Sequence, residues 1–153
     1  MTIIIHGREE LRAHAGRELG VSEWTDIQQL AVDTFADLTG DHQWIHVDVE
    51  RAQASPFGCT IVHGYLTLGL VPRLAATIYR VEGFAYGLNY GLNRVRFPAP
   101  LPVGSRVRLR TTLSEVSDVS RDGLQAVLSH TFEREAGSGK PVCAAEAVVR
   151  YYP

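Results

Sequence analysis

Cysteine is scarce in this chain, with Cys59 and Cys143 the only two among 153 residues. Each sits in an apolar stretch and no CxxC spacing occurs, so neither a disulfide framework nor a structural zinc site has support. A reducing cytoplasm is the expected compartment. Long hydrophobic runs are also missing, since no segment approaches the ~20 apolar residues that a membrane helix needs. The N-terminal Met1-Thr2-Ile3-Ile4-Ile5 turns at once to His6-Gly7-Arg8-Glu9-Glu10, too short a run for the core of a signal peptide. Nor is there a basic excess: the formal charge is -2 and the pI about 6.3. Nucleic acid and membrane surfaces are therefore not expected partners. With no repeat, low-complexity tract or linker, a single domain over residues 1–153 is the expectation.

What is present differs between the two halves. The first half carries helical periodicity, with a short charged helix over 8–15, a strand near 20–27 and a helix over 29–39. In the last of these, Ala31, Phe35 and Leu38 mark the expected buried face, and Gly40 ends the helix. Residues 64–80 form the most apolar segment, with Leu66, Leu70, Leu74 and Ile78 on one stripe. A helix apolar on most sides belongs in an interior. Pro72 lacks an N–H and crowds the preceding turn, which predicts a bend there.

The second half alternates with period two. Val107, Leu109, Thr111 and Leu113 face one way, and Arg106, Arg108, Arg110 and Thr112 the other. Similar runs at 84–97, 123–135 and 142–152 are separated by turn residues at Pro98 to Gly104, Asp122-Gly123 and Gly137-Ser138-Gly139. These read as four long antiparallel strands. An α+β fold follows, in which a sheet with one apolar face wraps around the apolar helix.

Reactive side chains concentrate in Gly40-Asp41-His42-Gln43-Trp44-Ile45-His46-Val47-Asp48. A carboxylate and an imidazole in one loop can hold a water between them, one taking its proton and the other delivering a proton. By themselves they fit a helix cap beside a surface histidine better than a catalytic pair. At Ile61-Val62-His63-Gly64-Tyr65 the chain starts the apolar helix, whose first N–H groups lack internal partners and carry the positive end of its dipole. Gly64 permits close approach of an oxyanion there, or simply eases a tight turn.

Phe35-Ala36-Asp37-Leu38-Thr39-Gly40-Asp41-His42-Gln43-Trp44-Ile45-His46-Val47-Asp48 and the later Ile61-Val62-His63-Gly64 together resemble the signature of the MaoC-like (R)-specific enoyl-CoA hydratases, also called hydratase 2. Arg96-Phe97-Pro98-Ala99-Pro100 and Val103-Gly104 resemble the strand and turn that follow the family's central helix. The usual Asn-Pro inside the core motif is Gln43-Trp44 here, a form similar to a subgroup containing nodulation protein N and mycobacterial hydratase-like proteins.

The resemblance implies a hot-dog fold, a homodimer and reversible hydration of a trans-2-enoyl thioester, with coenzyme A or an acyl carrier as partner and no cofactor. It assigns catalysis to Asp41 and His46, the oxyanion or substrate contacts to Gly64, Gln43 and His63, and the acyl lining to Leu68, Val71, Pro72 and Ala75. Arg94 and Arg96, from an alternating set that also includes Arg106, Arg108 and Arg110, are candidates for the phosphates of coenzyme A. No metal is expected, because His42, His46, Asp48 and His63 match no standard ligand spacing. Two other functions share such a fold. A thioesterase would release thiol from saturated acyl-CoA; a non-catalytic binding protein would be stabilised by acyl thioesters without turnover.

Overall fold

The computed structural model describes residues 2–153. In chain order the elements are β1 (Ile3–His6), α1 (Gly7–Ala13), β2 (Arg17–Val21), β3 (Thr25–Asp26), α2 (Gln29–Thr39), α3 (Trp44–Val47) and α4 (Val49–Gln53). They continue with α5 (Gly64–Gly69), α6 (Val71–Ile78), β4 (Tyr79–Glu82), β5 (Tyr86–Arg96), β6 (Arg106–Val119), β7 (Gly123–Arg134) and β8 (Cys143–Tyr152). The main sheet runs β2-β6-β7-β8-β5, all antiparallel, with β3 also on β6. Its four long strands are those expected from the period-two pattern. Val107, Leu109 and Leu113 are fully buried, as is Thr111.

One face of the sheet packs on α5 and α6; α6 supplies Leu74, Ala75 and Ile78 to a core shared with Phe132, Leu128 and Leu124, and Leu66 and Leu68 of α5 pack against it. Burying one such aliphatic or aromatic side chain contributes about 1.5–3 kcal/mol, so this single wrapped layer is the main source of stability. The expected bend is an interruption. Leu70 separates the two helices with φ −80° and ψ −9°, and Pro72 stands in the first turn of α6. A proline fits there because first-turn N–H groups have no helical partner in any case.

Four local expectations change. The helix expected to reach residue 80 stops at Ile78, because Tyr79–Glu82 pairs in parallel with Ile3–His6. The strand expected over 20–27 is split into β2 and β3. Between them, the Ser22 hydroxyl accepts from the Leu109 N–H at 2.9 Å, and the ladder is offset by a bulge near Gly20. The helix expected over 8–15 ends two residues earlier, at Ala13.

The fourth change concerns α2. Its core-facing residues are Val32 and Ala36, both fully buried, while Leu38 is 83% exposed and Ala31 is exposed. Two apolar stripes with the same spacing share this helix, and only packing chooses between them. Accordingly, Leu38→Gln should change stability by no more than ~0.5 kcal/mol in urea unfolding, whereas Val32→Ala should cost at least ~1 kcal/mol.

Candidate active site

The site is assembled where α2, α3 and the start of α5 meet. Thr39 is the last residue of α2, and Gly40 caps it in the left-handed region (φ 78°), turning the chain so that Asp41 leaves the helix axis. The Asp41 side chain is about half exposed. Its Oδ1 lies 3.4 Å from the Gln43 N–H, a long contact that restrains the loop locally. Three residues further on, α3 carries His46 inward, where it is only 7% exposed.

His46 is held from two sides. Its Nδ1 donates to the Ile61 carbonyl at 2.6 Å, which leaves Nε2 of the neutral ring as an acceptor. Its own carbonyl accepts from Gln29 Nε2 at 2.8 Å. Gln29 also receives the Thr60 hydroxyl on Oε1 at 2.6 Å and donates to Asp33 Oδ1 at 2.8 Å. One glutamine thus ties α2 to the backbone of α3 and to the segment leading into α5. Sequence inspection missed it, since an isolated Gln at the start of a helix carries no local signal.

His63 is the cap residue before α5 and is 2% exposed. Its ring stacks on His46 with centroids 3.9 Å apart and an interplanar angle of 24°, and Phe35 packs at 4.9 Å from its centroid. Its Nε2 donates to the Asp41 carbonyl at 3.0 Å. His63 therefore lies behind the pair and fixes the loop. One ligating atom from each of Asp41, His46 and His63 lies within 4.8 Å of the others. Two hydrogen bonds of about 2.8 Å through one water reach across such a gap.

The same trio bears on metal binding. Stacked imidazoles direct their ring-plane lone pairs side by side, a poor arrangement for converging on one ion. Of the other histidine and carboxylate candidates, His42 turns to Asp37 at 2.8 Å, and that carboxylate holds its pKa above the ordinary histidine value. Asp48 caps α4 by accepting the Arg51 N–H at 3.0 Å.

Gly64 opens α5, and a Cβ placed there would stand 2.9 Å from the Phe97 ring. The aromatic ring therefore rests directly on the backbone at the helix start. Gly64 and His46 share a cavity of about 330 Å³ whose wall includes Phe57, Thr67 and Phe97. Gln43 is exposed and does not line this cavity, and Trp44 is half-buried under the Arg51 guanidinium at 4.4 Å.

Leu68, Val71 and Pro72 come together in a second cavity of about 310 Å³. Ala75 does not join them and packs in the core instead. Arg94 and Arg96 lie two residues apart on β5, beside Glu146 of the neighbouring strand. By contrast, Arg106, Arg108 and Arg110 are engaged with Asp26, Glu135, Glu133 and Glu18. Carboxylates already neutralise that face of the sheet. Cys143 is a buried core residue whose thiol pKa is pushed up to about 11 by burial; Cys59 is half-buried.

A family profile described as "MaoC like domain" matches residues 10–133. The chain belongs to the MaoC-like family. Among MaoC-like proteins it is 56% identical over 142 residues to 3-hydroxyacyl-thioester dehydratase Z of Mycobacterium tuberculosis (strain ATCC 25618 / H37Rv), covering 93% of both chains. It is 41% identical to nodulation protein N of Rhizobium meliloti (strain 1021), covering 90% of this chain and 88% of that one. The (R)-hydratase from A. caviae superimposes with a TM-score of 0.71 at 24% identity, covering 90% of this chain and 98% of that one. This MaoC-like chain accordingly has the hot-dog fold, its sheet wrapped around α5 and α6.

Proposed function

We propose that this protein is a hydro-lyase that interconverts 3-hydroxyacyl and trans-2-enoyl thioesters. The observation that carries the reading is the approach of the half-exposed Asp41 carboxylate to a buried His46 whose Nδ1 is already committed to a backbone carbonyl. The 56% identity to a 3-hydroxyacyl-thioester dehydratase supports it.

In the hydration direction, one water donates a hydrogen bond to Asp41 and another to His46 Nε2, leaving an oxygen lone pair for C3. Asp41 takes the water's proton as the C3–O bond forms, and His46 holds the water and takes part in proton transfer. Electron density moves from the C2–C3 double bond to the thioester oxygen, which the Gly64 N–H receives. The enolate then collapses as the proton that Asp41 took from the water is delivered to C2, so that both side chains end in the protonation states in which they began. Dehydration runs the same steps backwards. Donors aimed at the developing oxyanion favour this transition state over the ground state.

The experiment is a spectrophotometric assay of trans-2-enoyl-CoA esters of graded length with chiral analysis of the product. A (3R)-hydroxyacyl product is expected. An (S) product, or thiol release from saturated acyl-CoA without hydration, overturns the reading.

Arg94 and Arg96 form no ion pair among the described residues, and we assign them to the phosphates of coenzyme A. The double variant Arg94→Ala/Arg96→Ala should raise KM for crotonyl-CoA by about 10-fold while leaving KM for the phosphate-free N-acetylcysteamine thioester unchanged.

The working unit in this reading is a homodimer. Among the described residues β5 pairs only with β8, and it exposes Tyr86, Leu88, Tyr90 and Leu92, each 47–59% exposed. A long apolar edge strand of this kind is a template for pairing. Light scattering at micromolar concentration should give twice the chain mass of 16.9 kDa. A cytoplasmic location fits the absence of disulfide chemistry expected from the two cysteines.

A further inference from the structure

The cavity holding Leu68, Val71 and Pro72 is apolar apart from two side chains. Asn89 sits at its exposed edge on β5, and His130 reaches it from the interior face of β7. His130 is 2% exposed, and burial lowers its pKa to about 4, so it is a neutral imidazole at physiological pH. The ring makes one hydrogen bond among the described residues, Nδ1 with Thr111 Oγ1 at 3.0 Å.

Thr111 is fully buried, and this contact is also its hydroxyl's only partner among the described residues. A buried hydroxyl proton needs an acceptor, and the only one offered is Nδ1. The neutral ring therefore carries its own proton on Nε2. That N–H is left without a protein acceptor, beside a cavity whose remaining wall is largely hydrocarbon.

Position matters as much as chemistry. Leu68 lies four residues beyond Gly64 on α5, a displacement of about 6 Å along a helix axis. The cavity shares no lining residue with the one at Gly64 and His46, so an acyl chain whose thioester oxygen sits at Gly64 would enter it only several carbons beyond the reacting C2–C3 bond. Gly69 and Gly91, both in the wall, have open space where a Cβ would stand.

We propose that His130 is a specificity-determining residue, its Nε2–H selecting acyl thioesters that carry an oxygen acceptor, a hydroxyl or carbonyl, on the distal part of the chain. A plain alkyl chain in the same place leaves a buried donor unpaired, and that unmade bond is what discriminates. The inference rests on the acyl-thioester reading of the site.

The test is calorimetric binding of saturated ligands, which needs no turnover: octanoyl-CoA against its 5-, 6-, 7- and 8-hydroxy derivatives, with butyryl-CoA as the short reference. At least one hydroxy isomer should bind the wild-type protein about 10-fold more tightly than octanoyl-CoA. That preference should vanish in His130→Leu and persist in His130→Gln, which keeps an N–H donor. Butyryl-CoA should bind all three proteins alike. The Nε2–H resonance of His130 should shift with the preferred hydroxy ligand and not with octanoyl-CoA.

Equal affinities for octanoyl-CoA and every hydroxy isomer overturn the proposal, as does a preference that survives in His130→Leu. If His130→Leu does not fold, the wild-type affinities and the resonance shift decide it. Loss of crotonyl-CoA hydration activity in the wild-type protein would instead count against the hydro-lyase reading, while these binding constants remain measurable.

Discussion

Asp41→Asn lowers kcat for crotonyl-CoA hydration by about 10²- to 10⁴-fold, the range a positioned general base contributes. The side chain is half exposed, His63 Nε2 bonds the Asp41 carbonyl at 3.0 Å while standing 3.9 Å from its carboxylate, and the other carboxylate contact, to the Gln43 N–H, is long at 3.4 Å. The amide should therefore fold normally, within ~0.5 kcal/mol of wild type. KM should change little, because the lost interaction belongs to the transition state. His46→Ala should cause a comparable loss of kcat, and the double variant should be hardly worse than either single one, as expected of groups sharing one water. Steady-state kinetics with circular dichroism as the folding control is the measurement. Near-normal turnover in Asp41→Asn removes it from the mechanism.

Gly64→Ala is the second large effect. The new methyl would stand 2.9–3.0 Å from three atoms of the Phe97 ring, closer than carbon atoms pack. Either the ring or the start of α5 must move, and the N–H aimed at the thioester oxygen moves with it. A misplacement of about 1 Å at a reacting centre costs on the order of 10²-fold in kcat/KM. Phe97 is 41% exposed, so part of the strain is relieved at the ring. Phe97→Ala in the Gly64→Ala background should therefore recover thermal stability and some activity. Wild-type kcat/KM in Gly64→Ala would detach the helix start from catalysis.

How far the site could be read in advance differs from residue to residue. Asp41 and His46 are five positions apart, and the left-handed Gly40 turns the chain after α2 so that Asp41 lies in the loop, but His46 stands on the short helix α3 and not in the loop expected for both. What makes them a pair with defined chemistry comes from further away. Ile61 is 15 residues from His46, Gln29 is 17 from His46, and Thr60 is 31 from Gln29. Hydrogen bonds across such separations leave no local pattern. His63 was visible as half of the His-Gly motif, but its burial between Phe35 and His46 was not. The two apolar stripes of α2 show the same limit, since periodicity gives a helix without saying which stripe meets the core.

The sequence by itself determined the scarcity of cysteine; both cysteines are free, and stability rests on one sheet wrapped around the apolar segment that forms α5 and α6. It determined the period-two strands, a disturbance of the apolar helix near Pro72 and the turn that Gly40 makes after α2, all of which depend on neighbours a few residues apart. Only the tertiary structure decided that the helix breaks at Leu70, that Phe97 lies on Gly64, and that His130, bonded to Thr111 through Nδ1, reaches the cavity of Leu68, Val71 and Pro72. Those outcomes are set by which surfaces exclude water against each other, a property of the packed chain that no short stretch of it contains.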